Sequence, residues 1–164
     1  LYIEAETAPA LWDALIKDDR VEPAGLGARD TLRLEMGLPL FGQDLDEDHT
    51  PAEAGYGMLL KSEADYTGKG PDKEIRQKLL GLVLDGRRSA RHHDKVCLPN
   101  GQDVGVVTSG SFGPTIGKAI ALAYVDAAHA EESAYLIKTA RTELKAEPCD
   151  MPFHKKGTAR TKLK

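Results

Sequence analysis

The pattern of apolar and polar residues along the chain changes from helical to strand-like spacing near residue 78. In the first part, apolar residues from Ala8 to Leu15 recur at helical intervals behind Thr7, which favours a helix capped by Thr7. Apolar residues that share one helix face usually point into the core, so we expect Trp12 to be buried. Residues 1–4 have the composition of the end of a strand.

A second helix is predicted over residues 28–36, after a sharp Gly-Leu-Gly loop at 25–27. Gly37 can adopt the left-handed conformation that ends a helix, and Pro39 cannot continue one. On this helix Leu32 and Met36 share a face, which we expect to turn to a core. Arg29 and Arg33 share another face, and the spacing predicts that they form a cationic rim.

The segment that follows the second helix is rich in acidic residues. Residues 42–49 include Asp44, Asp46, Glu47 and Asp48, without the spacing of a calcium-binding loop, so a solvated surface loop is expected. Thr50 precedes Pro51, a combination that predicts a cap and the first position of another turn.

From residue 78 onward the sequence consists of short β-like runs. The predicted strands cover residues 79–84, 96–98, 104–108, 120–124, 135–139 and 142–146. Asn100-Gly101 predicts a hairpin between the second and the third. Six short strands of this kind favour a small barrel.

Composition and charge refine this picture. With 164 residues, 41% hydrophobic and 29% charged, the chain has the composition of a soluble globular protein of one domain or two small ones. No run reaches the roughly 18 apolar residues that cross a bilayer, so no membrane span is expected. The net charge is −4, with a strongly acidic first half and a basic second half, which predicts two units. The basic residues are dispersed, and few aromatic residues accompany them, which disfavours nucleic-acid binding.

Several candidate sites are weaker than their structural alternatives. His92, His93 and Asp94 are contiguous, so on a strand the histidines would point to opposite faces, and a solvated turn is the better interpretation. The segment 113–118 has three residues between its glycines and lacks the Ser or Thr of a phosphate loop, which excludes a nucleotide site of that class. Cys97 lies in a predicted strand, where a buried thiol is inert, and the two cysteines are expected to be reduced.

Arg29 is the strongest candidate for ligand binding. A guanidinium can clamp a carboxylate or a planar heterocycle with two parallel hydrogen bonds. The residues alone favour the alternative, a structural ion pair with Asp30, Glu35 or the acidic loop, because paired arginines are common.

Five segments carry a resemblance to a known family. They are GLGARDTLRLEMGLPLFGQDLDE from residue 25, TPAEAG from 50, LGLVLDG from 80, VVTSGSFGPTIGK from 106 and MPF from 151. Together they resemble the T protein of the glycine cleavage system, an aminomethyltransferase family, over nearly the whole chain. The departure is the tail, residues 154–164, which matches no pattern of that family.

The resemblance implies an α+β fold in two parts. Residues 1–75 would form the C-terminal part of an α/β (ferredoxin-like) folate-binding domain, and residues 76–164 a small six-stranded antiparallel β-barrel. The family transfers a methylene carbon from the aminomethyl-lipoyl arm of H protein to tetrahydrofolate and releases ammonia, with folate as substrate and no metal. The setting implied is the cytoplasm of a bacterium or the mitochondrial matrix.

The resemblance also bears on the site residues. The arginine of the Ala-Arg-Asp motif contacts folate in the family. The resemblance therefore favours folate binding by Arg29 over a structural ion pair. The family's catalytic aspartate and a folate-contacting glutamate would both lie before Leu1, so no catalytic residue is assigned within this chain. The alternative is a folate-binding or scaffold relative without transferase activity.

Overall fold

The computed structural model describes residues 2–69 and 74–157. Two helices come first, α1 (Ala8–Ile16) and α2 (Leu26–Glu35). The six strands are β1 (Gln77–Leu84), β2 (Lys95–Cys97), β3 (Asp103–Gly113), β4 (Lys118–Asp126), β5 (Tyr135–Lys138) and β6 (Glu143–Cys149). Short 3-10 helices cover Ala5–Thr7, Gly57–Lys61 and Ala127–His129. In the described part of the chain, each helix is too short or too polar to cross a bilayer.

The six strands close into an antiparallel barrel with the order β1-β4-β3-β2-β5-β6. This arrangement confirms the predicted α+β class and barrel, with β1, β3, β4 and β6 longer than their predicted runs. The predicted hairpin between β2 and β3 is also confirmed. Gly101 has a φ of 89° there, and its amide donates to the Leu98 carbonyl at 2.8 Å.

The barrel has apolar layers on both sides of β4. Side chains of alternating residues from Ala119 to Val125 belong to the inner core. The intervening residues Ile120, Leu122 and Tyr124 belong to an outer cluster with Leu34 of α2. Because both of its faces are covered, β4 is an unbroken apolar run, the pattern expected of a doubly buried strand.

The end of α2 is built as the sequence predicts, but it buries a different face. Gly37 has a φ of 63°, its amide donates to the Leu34 carbonyl, and the Leu38 amide donates to the Arg33 carbonyl, which together make a Schellman motif. Leu32, predicted to be buried, is 62% exposed, and Leu34 is the buried leucine. The prediction was wrong because residues 33–35, the last turn, are the part of the helix that lies against the barrel.

The chain forms two compact units, Leu1–Asp30 and Thr31–Lys164, and α2 begins in one and ends in the other. In the first unit, α1 begins at Ala8 as predicted, but the Thr7 hydroxyl donates to the Glu4 carbonyl and does not cap the helix. Trp12 is 53% exposed, so the prediction of a core residue was wrong. None of residues 2–30 is buried, and residues 2–4 are not a strand. This unit therefore has no core of its own to receive Trp12.

Candidate functional site

Arg29 lies on the exposed surface of α2, just after its glycine-rich start. The amides of Ala28 and Arg29 both donate to the Gly25 carbonyl, at 3.1 and 3.3 Å, which fixes the first turn. Across residues 2–69 and 74–157, no hydrogen bond or ion pair reaches the Arg29 guanidinium. Its donors are therefore directed to solvent, in the state required to bind a carboxylate or a polar heterocycle.

Arg33 forms the buried ion pair that the sequence analysis considered for Arg29. Its Nη1 lies 2.6 Å from Oδ2 of Asp44, and its Nη2 donates to Oγ of Ser109 at 2.9 Å. The side chains of Arg33 and Asp44 are 8% and 0% exposed. Arg33 is thus not part of a cationic rim, and that expectation was wrong for this residue.

Asp44 is the centre of the buried polar network, although the acidic loop was expected to be solvated. Its carboxylate accepts hydrogen bonds from the Leu40 amide at 2.9 Å and from the hydroxyls of Thr108 and Ser109. These two hydroxyls come from consecutive residues because β3 has a bulge between Val107 and Ser109. A buried carboxylate is tolerated when its lone pairs are satisfied in this way. The rest of the prediction holds, since Asp46, Glu47 and Asp48 are exposed.

A second buried carboxylate, Glu53, closes the turn that begins at Thr50. The Thr50 amide donates to Oε2 of Glu53 at 2.8 Å, and the Glu53 amide donates to Oγ1 of Thr50 at 3.3 Å, which is a capping box. This confirms the predicted cap. Burial acts to raise the pKa of Glu53, but hydrogen bonds from the Arg76 side chain and from the backbone and hydroxyl of Thr50 outweigh it and bring the pKa to about 2.

His49 joins the acidic loop to the barrel. Its ring stacks on Tyr124 with centroids 3.7 Å apart, and its nitrogens face Asp46 at 2.8 Å and Oε1 of Gln77 at 3.0 Å. His49 also forms part of the wall between two cavities, an apolar one of about 370 Å³ that includes Leu59 and an acidic one of about 510 Å³. The polar atoms of His49 are engaged in holding the loop.

The prediction of a turn at His92 and His93 is confirmed, since both residues lie in a turn. Among residues 2–69 and 74–157 the structure describes no group of three or more side chains that could hold a metal ion. On a strand the two histidines would point to opposite faces. Here His93 has a φ of 73°, which is not a strand conformation, and the centroids of the two rings lie 3.8 Å apart. Cys97 is buried, and burial together with the hydrogen bond to Asp103 raises the pKa of its thiol. The segment 114–117 is a hairpin turn between β3 and β4.

The buried network around Asp44 was missed by the sequence analysis. Arg33 and Asp44 are separated by a loop, and Ser109 lies on a strand far along the chain, so no spacing pattern connects them. One signal was available, namely two consecutive hydroxyl residues, Thr108 and Ser109, in an otherwise apolar strand. Buried hydroxyls need partners, which indicates a polar group packed against that strand.

Comparison with known families places both halves of the chain. The family model described as "Glycine cleavage T-protein C-terminal barrel domain" matches residues 77–155, and the one described as "GCVT N-terminal domain" matches residues 1–64. The chain belongs to the glycine cleavage T-protein family. The barrel described above is therefore this family's C-terminal barrel, and Arg29 lies in the part matched by the other model.

Individual T-protein relatives support the assignment. The chain is 41% identical to an aminomethyltransferase of Saccharopolyspora erythraea over 96% of its own length and 46% of that protein. It is 51% identical to an aminomethyltransferase of a Picosynechococcus species over 70% of its length. It superposes on the crystal structure of glycine cleavage system aminomethyltransferase T from Bartonella henselae with a TM-score of 0.78 at 31% identity, covering 91% of this chain and 44% of that one. The chain thus covers less than half the length of each of these proteins, 46% and 44% for the Saccharopolyspora and Bartonella proteins and 33% for the Picosynechococcus protein.

Proposed function

We propose that this chain is part of an aminomethyltransferase that passes the methylene carbon of the aminomethyl-lipoyl arm of H protein to tetrahydrofolate, with release of ammonia. Support comes from the family assignment and from 41% identity to an aminomethyltransferase across nearly the whole chain. In this proposal tetrahydrofolate is a substrate and no metal takes part. The setting is the bacterial cytoplasm or the mitochondrial matrix.

The observation that carries the proposal is the contrast between the two arginines of α2. Arg33 is occupied by Asp44 and Ser109, whereas the exposed Arg29 guanidinium has no hydrogen bond or ion pair within the described ranges. An exposed arginine with unoccupied donors can make charge-assisted hydrogen bonds to folate, which carries carboxylates and a polar heterocycle. We assign Arg29 to folate binding because it is also the arginine of the Ala-Arg-Asp motif, which the resemblance implies contacts folate.

Three reactive groups among the described residues are held in structural roles. The carboxylates of Asp44 and Glu53 are buried and fully hydrogen-bonded, and the thiol of Cys97 is buried. A proton-transfer group must reach the reacting atoms, which these three do not do. The resemblance implies that the family's catalytic aspartate lies before Leu1, so we expect the isolated chain not to turn substrate over.

The proposal is tested by two assays of glycine-dependent methylene transfer, with H protein and tetrahydrofolate supplied. The chain alone should give no turnover, and a full-length aminomethyltransferase carrying this chain as its second half should be active. Turnover by the chain alone would contradict the proposal that the chemical step needs residues outside this chain. Folate binding without any transfer by the full-length protein would favour the alternative, a folate-binding relative.

A further inference from the structure

His49, the last residue of the acidic loop, has an oxygen acceptor in front of each ring nitrogen. Nδ1 lies 2.8 and 2.9 Å from the two carboxylate oxygens of Asp46. Nε2 lies 3.0 Å from Oε1 of Gln77, on β1. A neutral imidazole has one N–H donor and one bare nitrogen, so it can donate to only one of these partners. Both contacts are hydrogen bonds only when both ring nitrogens carry a proton.

The side-chain amide of Gln77 is fixed with its oxygen toward His49. Its Nε2 donates to Oδ1 of Asp126 at 3.1 Å, and an ionised carboxylate can only accept. Reversing the amide would bring Oε1 against the Asp126 carboxylate, so that a hydrogen bond would be lost and two acceptors would face each other. Gln77 is therefore an acceptor for His49, and Nε2 of His49 is a donor.

Asp46 is held as a carboxylate at the other ring nitrogen. Burial acts to raise the pKa of Asp46, but hydrogen bonds from the His49 ring and from the amides of His49 and Asp48 outweigh it and lower that pKa. The amides of Asp48 and His49 donate to Oδ1 of Asp46 at 2.9 and 2.8 Å, so the loop itself keeps the carboxylate in place. A carboxylate has no proton to donate at neutral pH, which makes Nδ1 of His49 the second donor.

The packing of His49 on the barrel also favours a cation. Its side chain is 18% exposed, and its ring lies parallel to that of Tyr124, with an angle of 8° between the planes. The face of an aromatic ring attracts a cation. Burial and three nearby carboxylates raise the pKa of Tyr124 to about 12, and these carboxylates belong to Asp46, Glu53 and Asp44. The negative potential that they produce stabilises a positive charge on the stacked histidine.

The remaining charged groups around His49 do not cancel this potential. Those that share the acidic cavity with it are Glu47, Asp48, Glu74 and Arg76. Arg76 is the cation of this set, and its Nε lies 3.1 Å from Oε1 of Glu53, which offsets its charge. A negative potential keeps a proton on an imidazole, whereas burial alone would act to remove it.

We propose that His49 is an imidazolium at neutral pH and acts as a pH-sensitive latch that joins the acidic loop to the barrel. With both protons present, its ring connects Asp46 of the loop with Gln77 of β1 while it stacks on Tyr124 of β4. Loss of one proton leaves a bare nitrogen facing an oxygen, so repulsion between lone pairs replaces one of the two hydrogen bonds. His49 also lines both cavities beside the loop, so the state of the latch sets the shape of both.

The latch loosens as the pH rises. A histidine in water is mostly neutral above about pH 6.5, so an opened loop binds fewer protons at this position than the closed one. Raising the pH above this range therefore favours the open loop, whereas mildly acidic pH favours the closed one. Asp46 is ionised in both states at neutral pH, so the proton on His49 is the one that changes.

The test uses the complete chain and two measurements. Proton–nitrogen correlation spectra show whether each ring nitrogen of His49 carries a proton, and hydrogen exchange of the Asp48 and His49 amides, corrected for the intrinsic rate, measures opening of the loop. Asp46→Asn keeps the size of the side chain and removes its charge. Asp48→Asn is the matched control, because it makes the same change of charge two residues away in the same loop. His49→Phe keeps a flat ring on Tyr124 and cannot donate.

At pH 7 both ring nitrogens of His49 should be protonated in the wild-type chain. Asp46→Asn should raise the neutral fraction of His49 about three- to tenfold, with less than about a twofold change in Asp48→Asn. Opening of the wild-type loop should rise about three- to tenfold between pH 6.5 and pH 8, whereas His49→Phe should open equally often at both values.

Three results would overturn the latch. The first is a singly protonated, neutral His49 ring in the wild-type chain at pH 7. The second is an equal effect of Asp46→Asn and Asp48→Asn, which would assign the protonation of His49 to the overall charge of the loop and not to the contact with Asp46. The third is the same rise in loop opening with pH in His49→Phe as in the wild type.

Discussion

Arg29 and Arg33 are four residues apart on α2, and the sequence presents them as a pair. Their surroundings differ because the last turn of the helix is the part that lies against the barrel, where Leu34 is buried. The buried guanidinium of Arg33 has lost its hydrogen bonds to water and donates to Asp44 and Ser109 instead. The exposed guanidinium of Arg29 remains hydrated. A substitution at each position should therefore affect a different property, stability for Arg33 and binding for Arg29.

Arg33→Ala should strongly destabilise the compact unit Thr31–Lys164, which contains the barrel. It removes the only charge paired with Asp44 among the described residues and leaves a carboxylate that is 0% exposed. Breaking one partner of a buried ion pair typically costs about 3–5 kcal/mol. Urea unfolding followed by circular dichroism would measure the loss.

Arg29→Ala is the matched control for this measurement, since it removes the same side chain from an exposed position of the same helix. A surface change of this kind should stay within about 0.5 kcal/mol. Equal stability losses for the two variants would refute the structural role of the Arg33–Asp44 pair.

Glu53 should make the free energy of unfolding depend on pH in the acidic range. Its pKa in the folded protein is about 2, below its usual 4.5, so the unfolded chain takes up the proton first as the pH falls. The stabilisation is complete above about pH 4.5 and disappears as the pH approaches about 2, a loss of about 2–3 kcal/mol.

Urea titrations of wild type and Glu53→Gln at pH 6 and pH 2.5 measure this contribution. The variant should be less stable at pH 6 and should lose less stability between the two values. Glu47→Gln, on the exposed part of the loop, is the control and should keep the wild-type dependence. If the free energy of unfolding falls as much between pH 6 and pH 2.5 in Glu53→Gln as in wild type, other carboxyl groups cause the pH dependence.

At the scale of the elements, the glycine that ends α2 has two functions. Gly37 adopts a φ of 63°, and a Cβ built there would lie 2.8 Å from Cβ of Met151. Gly42 has a φ of 86°, but no described atom lies within 4 Å of its Cβ position. Both glycines therefore have a positive φ, which a residue with a Cβ rarely adopts. Only Gly37 also has a side chain, that of Met151, close to the position of a Cβ.

Gly37→Ala should cost clearly more stability than Gly42→Ala. The left-handed conformation alone costs about 1–2 kcal/mol, and the contact with Met151 adds about 1–3 kcal/mol of overpacking. Thermal and urea unfolding of the two variants would give the difference. An equal loss of stability in the two variants would mean that Met151 moves aside without cost and would contradict this prediction.

The helices and strands could be predicted where turn or capping residues mark both ends of a buried apolar run. All six strands were found because their apolar runs are bounded by turn residues such as Asn100-Gly101, and Gly37 ended α2 for a local steric reason. The face that α2 buries was not predictable, because Leu32 and Leu34 are equally apolar and the choice depends on which turn meets the barrel. The role of Asp44 depended on a β3 bulge, a feature that no local sequence pattern encodes.

At the scale of the whole chain, residues 31–69 belong to the same compact unit as the barrel. Three contacts connect this segment to barrel strands. Ser109 of β3 is hydrogen-bonded to both Arg33 and Asp44. The ring of His49 stacks on Tyr124, and the Leu79 amide donates to the Glu53 carbonyl. The domain boundary near residue 75 remains a prediction. It states that the barrel can fold and unfold separately from residues 31–69, even though the two are in contact.

Hydrogen exchange followed by mass spectrometry tests that boundary. Strands β1, β3 and β4 should exchange through the largest opening, and residues 31–69 should open at a lower free energy while the barrel stays closed. Residues 2–30, none of which is buried, should exchange fastest. Identical opening free energies for residues 31–69 and the barrel would contradict a boundary at 75 and would define one folding unit.

The central claim is that this chain contributes a folate contact to an aminomethyltransferase, and Arg29 is the residue that carries it. Its most direct test is calorimetry of tetrahydrofolate binding to a full-length enzyme that contains the chain, with Arg29→Ala compared with wild type. Arg29→Lys tests whether the paired geometry of the guanidinium matters, and Lys17→Ala, an exposed cation on the same unit, is the control.

Losing a charge-assisted hydrogen bond of about 1.5–3 kcal/mol should raise the folate dissociation constant of Arg29→Ala roughly ten- to a hundredfold. Its melting temperature should change little, because the side chain is exposed, and Lys17→Ala should bind folate as wild type does. Unchanged folate affinity in Arg29→Ala, with a sharply lowered melting temperature, would make Arg29 a structural residue and would contradict the account.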